Sequence, residues 1–109
     1  MIQALAGVRA GAAWYGPLGP NPAPSPVQLA DQIKGRVMGF YGGKDMGIPE
    51  ADRQAMLDAL KAAGDTKSSI NVYPDSPHGF NADYRPSYMP ADAKEAWRNM
   101  LAWFQGHGV

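Results

Sequence analysis

All ten prolines and more than half of the thirteen glycines lie in three clusters, Gly16–Pro26, Gly39–Pro49 and Pro74–Pro90. Proline removes a backbone donor and fixes φ, so regular structure must fit between these clusters or end on their margins. Val8–Tyr15 is short and mostly apolar and stops at Gly16-Pro17, which predicts a buried strand whose small residues pack closely on a helix. Arg36–Tyr41 predicts a second strand, ended by Gly42-Gly43, and Ser69–Tyr73 alternates with period two as a third. Between them, Pro49 suits the first position of a helix, with Glu50 and Asp52 in its first turn. Met56, Leu57, Leu60 and Ala63 follow at helical spacing, and Gly64 is placed to cap the end. A last helix is predicted from Ala93, Ala96, Trp97, Met100, Leu101 and Phe104, which share one face before Gly106.

The order is therefore strand, loop, strand, helix, strand, helix. The loop Gly19–Pro26 reads as extended surface chain, and Leu29–Ile33 as one helical turn. Strands joined through helices make an α/β protein with about three parallel strands and crossover helices. At 109 residues the chain is one unit at most. In such sheets the chemistry sits beyond the carboxyl ends of the strands. That places attention on Gly16–Pro26, Gly42–Ile48 and Pro74–Tyr88.

Composition narrows what the chemistry can be. Ten basic and ten acidic residues leave no net charge, which argues against a nucleic-acid or membrane-surface partner. No apolar run approaches the roughly 18–20 residues of a membrane span, and Met1–Ala6 lacks the pattern of a leader. The expected compartment is the cytoplasm. With no cysteine there is no thiolate metal site and no thiol nucleophile. No cluster has metal-ligand spacing and no phosphate-cradling glycine loop is present, so no cofactor is expected.

Asp45 follows the second predicted strand and His78 the third. If those strands are neighbours, both side chains start from one edge of the sheet, where a carboxylate can hydrogen-bond an imidazole and fix its tautomer. Taken singly, Asp45 reads as a turn former and His78 as a structural loop residue; their shared edge and their order favour an acid–histidine pair. Acid before histidine, each after a strand, is also the chain order of an α/β-hydrolase triad, in which the nucleophile comes first.

Tyr41-Gly42-Gly43-Lys44-Asp45 with Ile48-Pro49 resembles the acid loop of the dienelactone hydrolase family. Tyr73-Pro74-Asp75-Ser76-Pro77-His78-Gly79-Phe80 resembles its histidine loop. Tyr84-Arg85-Pro86-Ser87-Tyr88, Ala96-Trp97 with Trp103-Phe104, and Trp14-Tyr15-Gly16 are similar to further parts of its bacterial members. The resemblance implies the C-terminal portion of an α/β-hydrolase fold over residues 1–109, with Asp45 as triad acid and His78 as general base of an ester or lactone hydrolase. Tyr84, Arg85 and Tyr88 become candidate contacts to an anionic small-molecule substrate, since arginine pairs bidentately with carboxylates; the plainer reading is a solvated loop over the site.

One part of the family pattern is missing. None of Ser25, Ser68, Ser69, Ser76 or Ser87 is centred in a Gly-x-Ser-x-Gly turn, and there is no Cys to take that place. The oxyanion-hole donors of this fold belong to the residue after the nucleophile and to a still earlier loop. Loss of a nucleophile costs on the order of a million-fold in turnover. The expectation is a fragment without the nucleophile-bearing half, inactive alone; Ser76, the serine nearest His78, is the first to test against it. An acyl-peptidase-like parent is a lesser variant of the same reading. Two other readings stay open: a non-enzymatic α/β module that binds a ligand or partner through the old active-site edge, and a reading frame opened at an internal Met. An exposed Val8–Tyr15 edge, with Arg9 as its only charge, further predicts self-association.

Overall fold

The computed structural model describes residues 7–20 and 24–108. The start Met1–Ala6 and Asn21–Ala23 of the proline loop, both read above, lie outside them. Strands β1 (Ala10–Trp14), β2 (Arg36–Gly42) and β3 (Ser69–Tyr73) form one parallel sheet in the order β1-β2-β3. A 3-10 turn at Ala30–Gln32 precedes β2, helix α1 (Glu50–Ala62) connects β2 to β3, and helix α2 (Pro90–Gly106) follows β3. The α/β class and the three parallel strands are as expected from the sequence. No helix among the described residues is long and apolar enough to cross a membrane.

The middle strand divides two cores. Phe40 and Tyr41 are adjacent in β2, so their side chains leave opposite faces of the sheet. Tyr41 packs with Leu18, Ile48, Met56 and Leu60 on the α1 face. Phe40 packs with Tyr73, Phe80, Ala96 and Met100 on the α2 face. Phe40 and Phe80 are wholly buried, each worth about 1.5–3 kcal/mol relative to exposure. The ladder pairs Trp14 with Phe40 and Phe40 with Asn71, which sets the carboxyl ends of all three strands on one edge.

Helix α1 ends as its sequence requires. Gly64 has φ +84, its amide donates to Lys61 O at 3.0 Å, and the Asp65 amide donates to Leu60 O at 2.9 Å, the two bonds of a Schellman cap. Asp65 then ties the amino ends of β2 and β3 together. Its carboxylate accepts from the Ser68 hydroxyl and from the amides of Lys67 (3.0 Å) and Ser68 (2.9 Å), and lies 3.4 Å from Arg36 Nη1. The Ser68 oxygen in turn accepts from the Val37 amide at 2.8 Å.

Two sequence expectations need correction. The first strand is Ala10–Trp14 rather than Val8–Tyr15, and all five residues are half-buried rather than buried. Among the described strands β1 has one partner, so one side of its backbone and part of both faces stay uncovered. On α2, Ala93, Ala96 and Met100 are buried, but Trp97 and Leu101 are 50% and 46% exposed. Trp97 reaches toward Trp14 of β1, with ring centroids 6.3 Å apart. The helix face thus extends past the sheet's open margin, where no further strand among the described residues meets it.

Candidate active site

The site is built where two glycines let two loops touch. A Cβ on Gly42, at the end of β2, would stand 2.2 Å from Ser76 O, and one on Gly43 would stand 2.7 Å from Pro74 Cα. With no side chains in the way, the loops after β2 and β3 zip together. The Gly43 amide donates to Tyr73 O at 2.8 Å and the Lys44 amide to Ser76 O at 3.1 Å. Asp45 and His78 are thereby brought face to face.

The two Asp45 oxygens have separate partners. Oδ1 accepts from the Gly47 amide at 2.9 Å, and Oδ2 lies 2.6 Å from His78 Nδ1. The Asp45 side chain is 4% exposed, whereas that of His78 is 50% exposed. An ionised carboxylate only accepts, so Nδ1 carries the proton and Nε2 is left as the basic nitrogen. The imidazole is thus held in one tautomer by a buried carboxylate, and among the described residues no protein hydrogen bond to Nε2 is found.

Both loops are anchored from behind. Arg53 of α1 is buried, and its Nη1 donates to Ile48 O at 2.9 Å, fixing the chain just beyond Asp45. Ser76 is wholly buried, and its hydroxyl donates to Asp92 Oδ2 at 2.6 Å in the first turn of α2. Phe80 plugs the α2-side core, and its carbonyl accepts from the Met89 amide at 2.9 Å. The serine singled out as the first alternative nucleophile is therefore sealed in a hydrogen bond.

Tyr15 completes the surroundings of the imidazole, and the sequence reading assigned it no role. Its ring centroid lies 5.1 Å from that of His78, at an interplanar angle of 60°. Burial pushes its hydroxyl above the usual tyrosine range; Tyr84 adds to that and Arg85 opposes it. Its sequence signals were the Trp14-Tyr15-Gly16 resemblance and its position, directly after an apolar strand and before Gly16-Pro17.

The three candidate substrate contacts divide. Arg85 lies against the histidine loop, its Nη1 3.1 Å from where a Gly79 Cβ would be, and its guanidinium is 5.9 Å from the Tyr84 ring centroid. No salt bridge to Arg85 is found among the described residues. Tyr84 is 82% exposed. Tyr88 lines a shallow depression with Asn81, Trp97 and Arg98, which neither Asp45 nor His78 lines. Among the described residues, no group of three or more His, Asp or Glu could hold a metal ion.

The model of the dienelactone hydrolase family matches residues 1–108. The chain belongs to the dienelactone hydrolase family. It is 44% identical over 105 residues to a protein of Escherichia coli named "Putative carboxymethylenebutenolidase", and 45% identical over 106 residues to a protein of the same name from Methylorubrum extorquens. These matches cover 93% and 94% of this chain but 38% and 36% of the two relatives. Its fold superposes, at a TM-score of 0.82 and 44% identity, on the crystal structure titled "Putative Dienelactone Hydrolase" from Klebsiella pneumoniae, covering 89% of this chain and 42% of that one. The chain thus spans well under half the length of these relatives.

Proposed function

We propose that this chain supplies the acid–base part of an ester- or lactone-hydrolysing site, and that the nucleophile and the oxyanion hole come from residues outside it. The observation that carries the reading is the 2.6 Å contact between His78 Nδ1 and the buried Asp45 carboxylate, beside a half-exposed imidazole. In the proposed reaction a hydroxyl or thiol from outside the chain attacks the acyl carbon as His78 Nε2 removes its proton. Asp45 stabilises the resulting imidazolium. The carbonyl reforms and the C–O bond to the leaving group breaks, with Nε2 returning the proton to the departing oxygen. Water then repeats the sequence on the acyl intermediate, and the acid leaves. Tyr84, Arg85 and Tyr88 are the proposed contacts to an anionic substrate group, with Arg85 directly beside the histidine loop.

This reading leaves the chain inactive by itself. Purified chain should hydrolyse activated esters and dienelactones no faster than its His78→Ala variant, since a base without a nucleophile has nothing to activate. A burst of acylated chain would overturn it.

A second reading has one observation in its favour. An apolar cavity of about 300 Å³ opens on the α1 face, lined by Leu18, Ile33, Val37, Tyr41, Met56 and Ile70 among others, and neither Asp45 nor His78 lines it. A ligand-binding module would use that cavity and would bind small apolar molecules without needing His78. Calorimetry with apolar ligands on wild type and His78→Ala separates the readings.

A further inference from the structure

Tyr15 is the one described residue other than glycine with positive φ, at +38. The left-handed region carries a steric penalty for any residue with a Cβ, and such outliers gather where a side chain must be aimed. The turn is not frayed, because the Tyr15 amide still donates to Phe40 O at 2.9 Å, extending the β1–β2 ladder by one bond. Glycine would adopt this backbone without penalty. The chain instead carries its glycine one position later, at Gly16, where φ is not positive and a Cβ would meet nothing within 4 Å.

The backbone turn has a visible consequence for the ring. In a regular strand each side chain belongs to one face of the sheet. Tyr15 packs against both cores, the one under α1 and the one under α2, so its ring stands across the carboxyl edge of the sheet. There it meets Phe80 (5.8 Å, 68°) and His78 (5.1 Å, 60°), edge to face in both cases.

His78 needs a second restraint of this kind. Its imidazole is half exposed, and among the described residues its one side-chain hydrogen bond, through Nδ1 to Asp45, fixes a single point. A ring held at one point can still tilt about that bond and swing toward water. An aromatic contact on its flank removes that freedom and sets where Nε2 points.

We infer that Tyr15 is a positioning residue for His78: its strained backbone sets the aromatic ring against the imidazole, which holds His78 on Asp45 and aims Nε2. The inference rests on the acid–histidine reading above, and the test separates the two. The full chain, labelled with ¹⁵N, is titrated by NMR through the ring nitrogens of His78, with His107 as an internal reference. Wild-type neutral His78 should show one protonated and one bare nitrogen, well separated in shift. Tyr15→Phe, which keeps the ring, should leave that pattern intact. Tyr15→Asn, whose short side chain tolerates the left-handed turn, should draw the two resonances toward the tautomer average while the chain stays folded. Tyr15→Gly, which suits the backbone better still, should do the same and covers the case in which the Asn variant does not fold. If the Asn and Gly variants keep the wild-type separation while Asp45→Ala, which removes the hydrogen-bond partner of Nδ1, loses it, Tyr15 does not position His78 and the acid–histidine pair stands. If Asp45→Ala also keeps the separation, or wild type is already averaged, the pair itself fails and the role of Tyr15 fails with it.

Discussion

Replacing Gly42 by alanine tests how far the site depends on close approach of the two loops. The added Cβ would lie 2.2 Å from Ser76 O and 2.7 Å from Pro77 O, and both are backbone atoms that cannot rotate aside. Moving the first contact out to the 3.0 Å floor of ordinary Cβ contacts requires a displacement of about 0.8 Å. Pro77 and His78 follow directly, so the displacement passes into the imidazole. If the Asp45–His78 contact lengthened from 2.6 Å by the same amount, it would reach about 3.4 Å, beyond the range of a good hydrogen bond. Overpacking of this kind costs on the order of 1–3 kcal/mol, and a weakened bond to a charged group adds about 1 kcal/mol or more. Urea denaturation of Gly42→Ala should therefore show a loss of roughly 2–4 kcal/mol. His78 ring resonances should also shift, whereas Gly106→Ala, where a Cβ meets nothing within 4 Å, should leave them unmoved. Gly42→Ala with stability within about 0.5 kcal/mol of wild type and an unchanged His78 spectrum would refute the argument that these glycines bring the pair together.

Three other outcomes are expected. Asp65 should contribute to acid stability: burial alone would raise its pKa, but the Ser68 hydroxyl, the Ser68 and Lys67 amides and the Arg36 guanidinium together hold it below the ordinary 3.8. A depressed folded value means that its contribution is fully present above 3.8 and fades as pH falls through that lower value; Asp65→Asn should flatten this part of the acid-unfolding curve, and an unchanged acid limb would count against the cluster. Ser76→Ala should lower stability by about 1.5–3 kcal/mol, since it strips a buried donor from a carboxylate, and mass spectrometry after ester treatment should find no acyl group on Ser76 in wild type. The half-buried edge strand Ala10–Trp14, flanked by exposed Val8 and Trp97, should drive self-association; light scattering that shows a monodisperse monomer across concentrations would disprove it.

Much of this architecture was legible because its punctuation is local. Gly42-Gly43, Pro49 and Gly64 mark where β2 ends and where α1 begins and ends, and backbone geometry requires those residue types there. Asp45 and His78 could be paired on paper because both follow strands, and parallel strands put all such loops on one edge. What was not legible depends on the third dimension. Trp97 and Leu101 have the spacing of core residues, and their exposure follows from the width of the sheet beneath them. Arg53 has the spacing of an ordinary surface arginine on a helix, yet it is buried because Ile48 O needs a donor there. Tyr88 shares a loop with Arg85, but a turn between them sends it toward α2. The left-handed Tyr15 follows from how β1 leaves the sheet, which hydrophobic pattern does not encode.

These features point to a division of labour within the chain. The residues that hold the acid–histidine pair together all lie inside it: the Gly42-Gly43 crossing, Arg53 on Ile48, Ser76 on Asp92, and Tyr15 on His78. Each tether reaches one of the two loops from a different direction: from the facing loop, from α1, from α2 and from β1. By contrast, the margin at β1 and Trp97 leaves apolar surface and one side of a strand backbone open. Hydrolysis would require a nucleophile to come close to Nε2, on the exposed side of His78. In the proposed reaction these tethers would hold the proton-transfer pair, and activity would turn on what is brought to the imidazole.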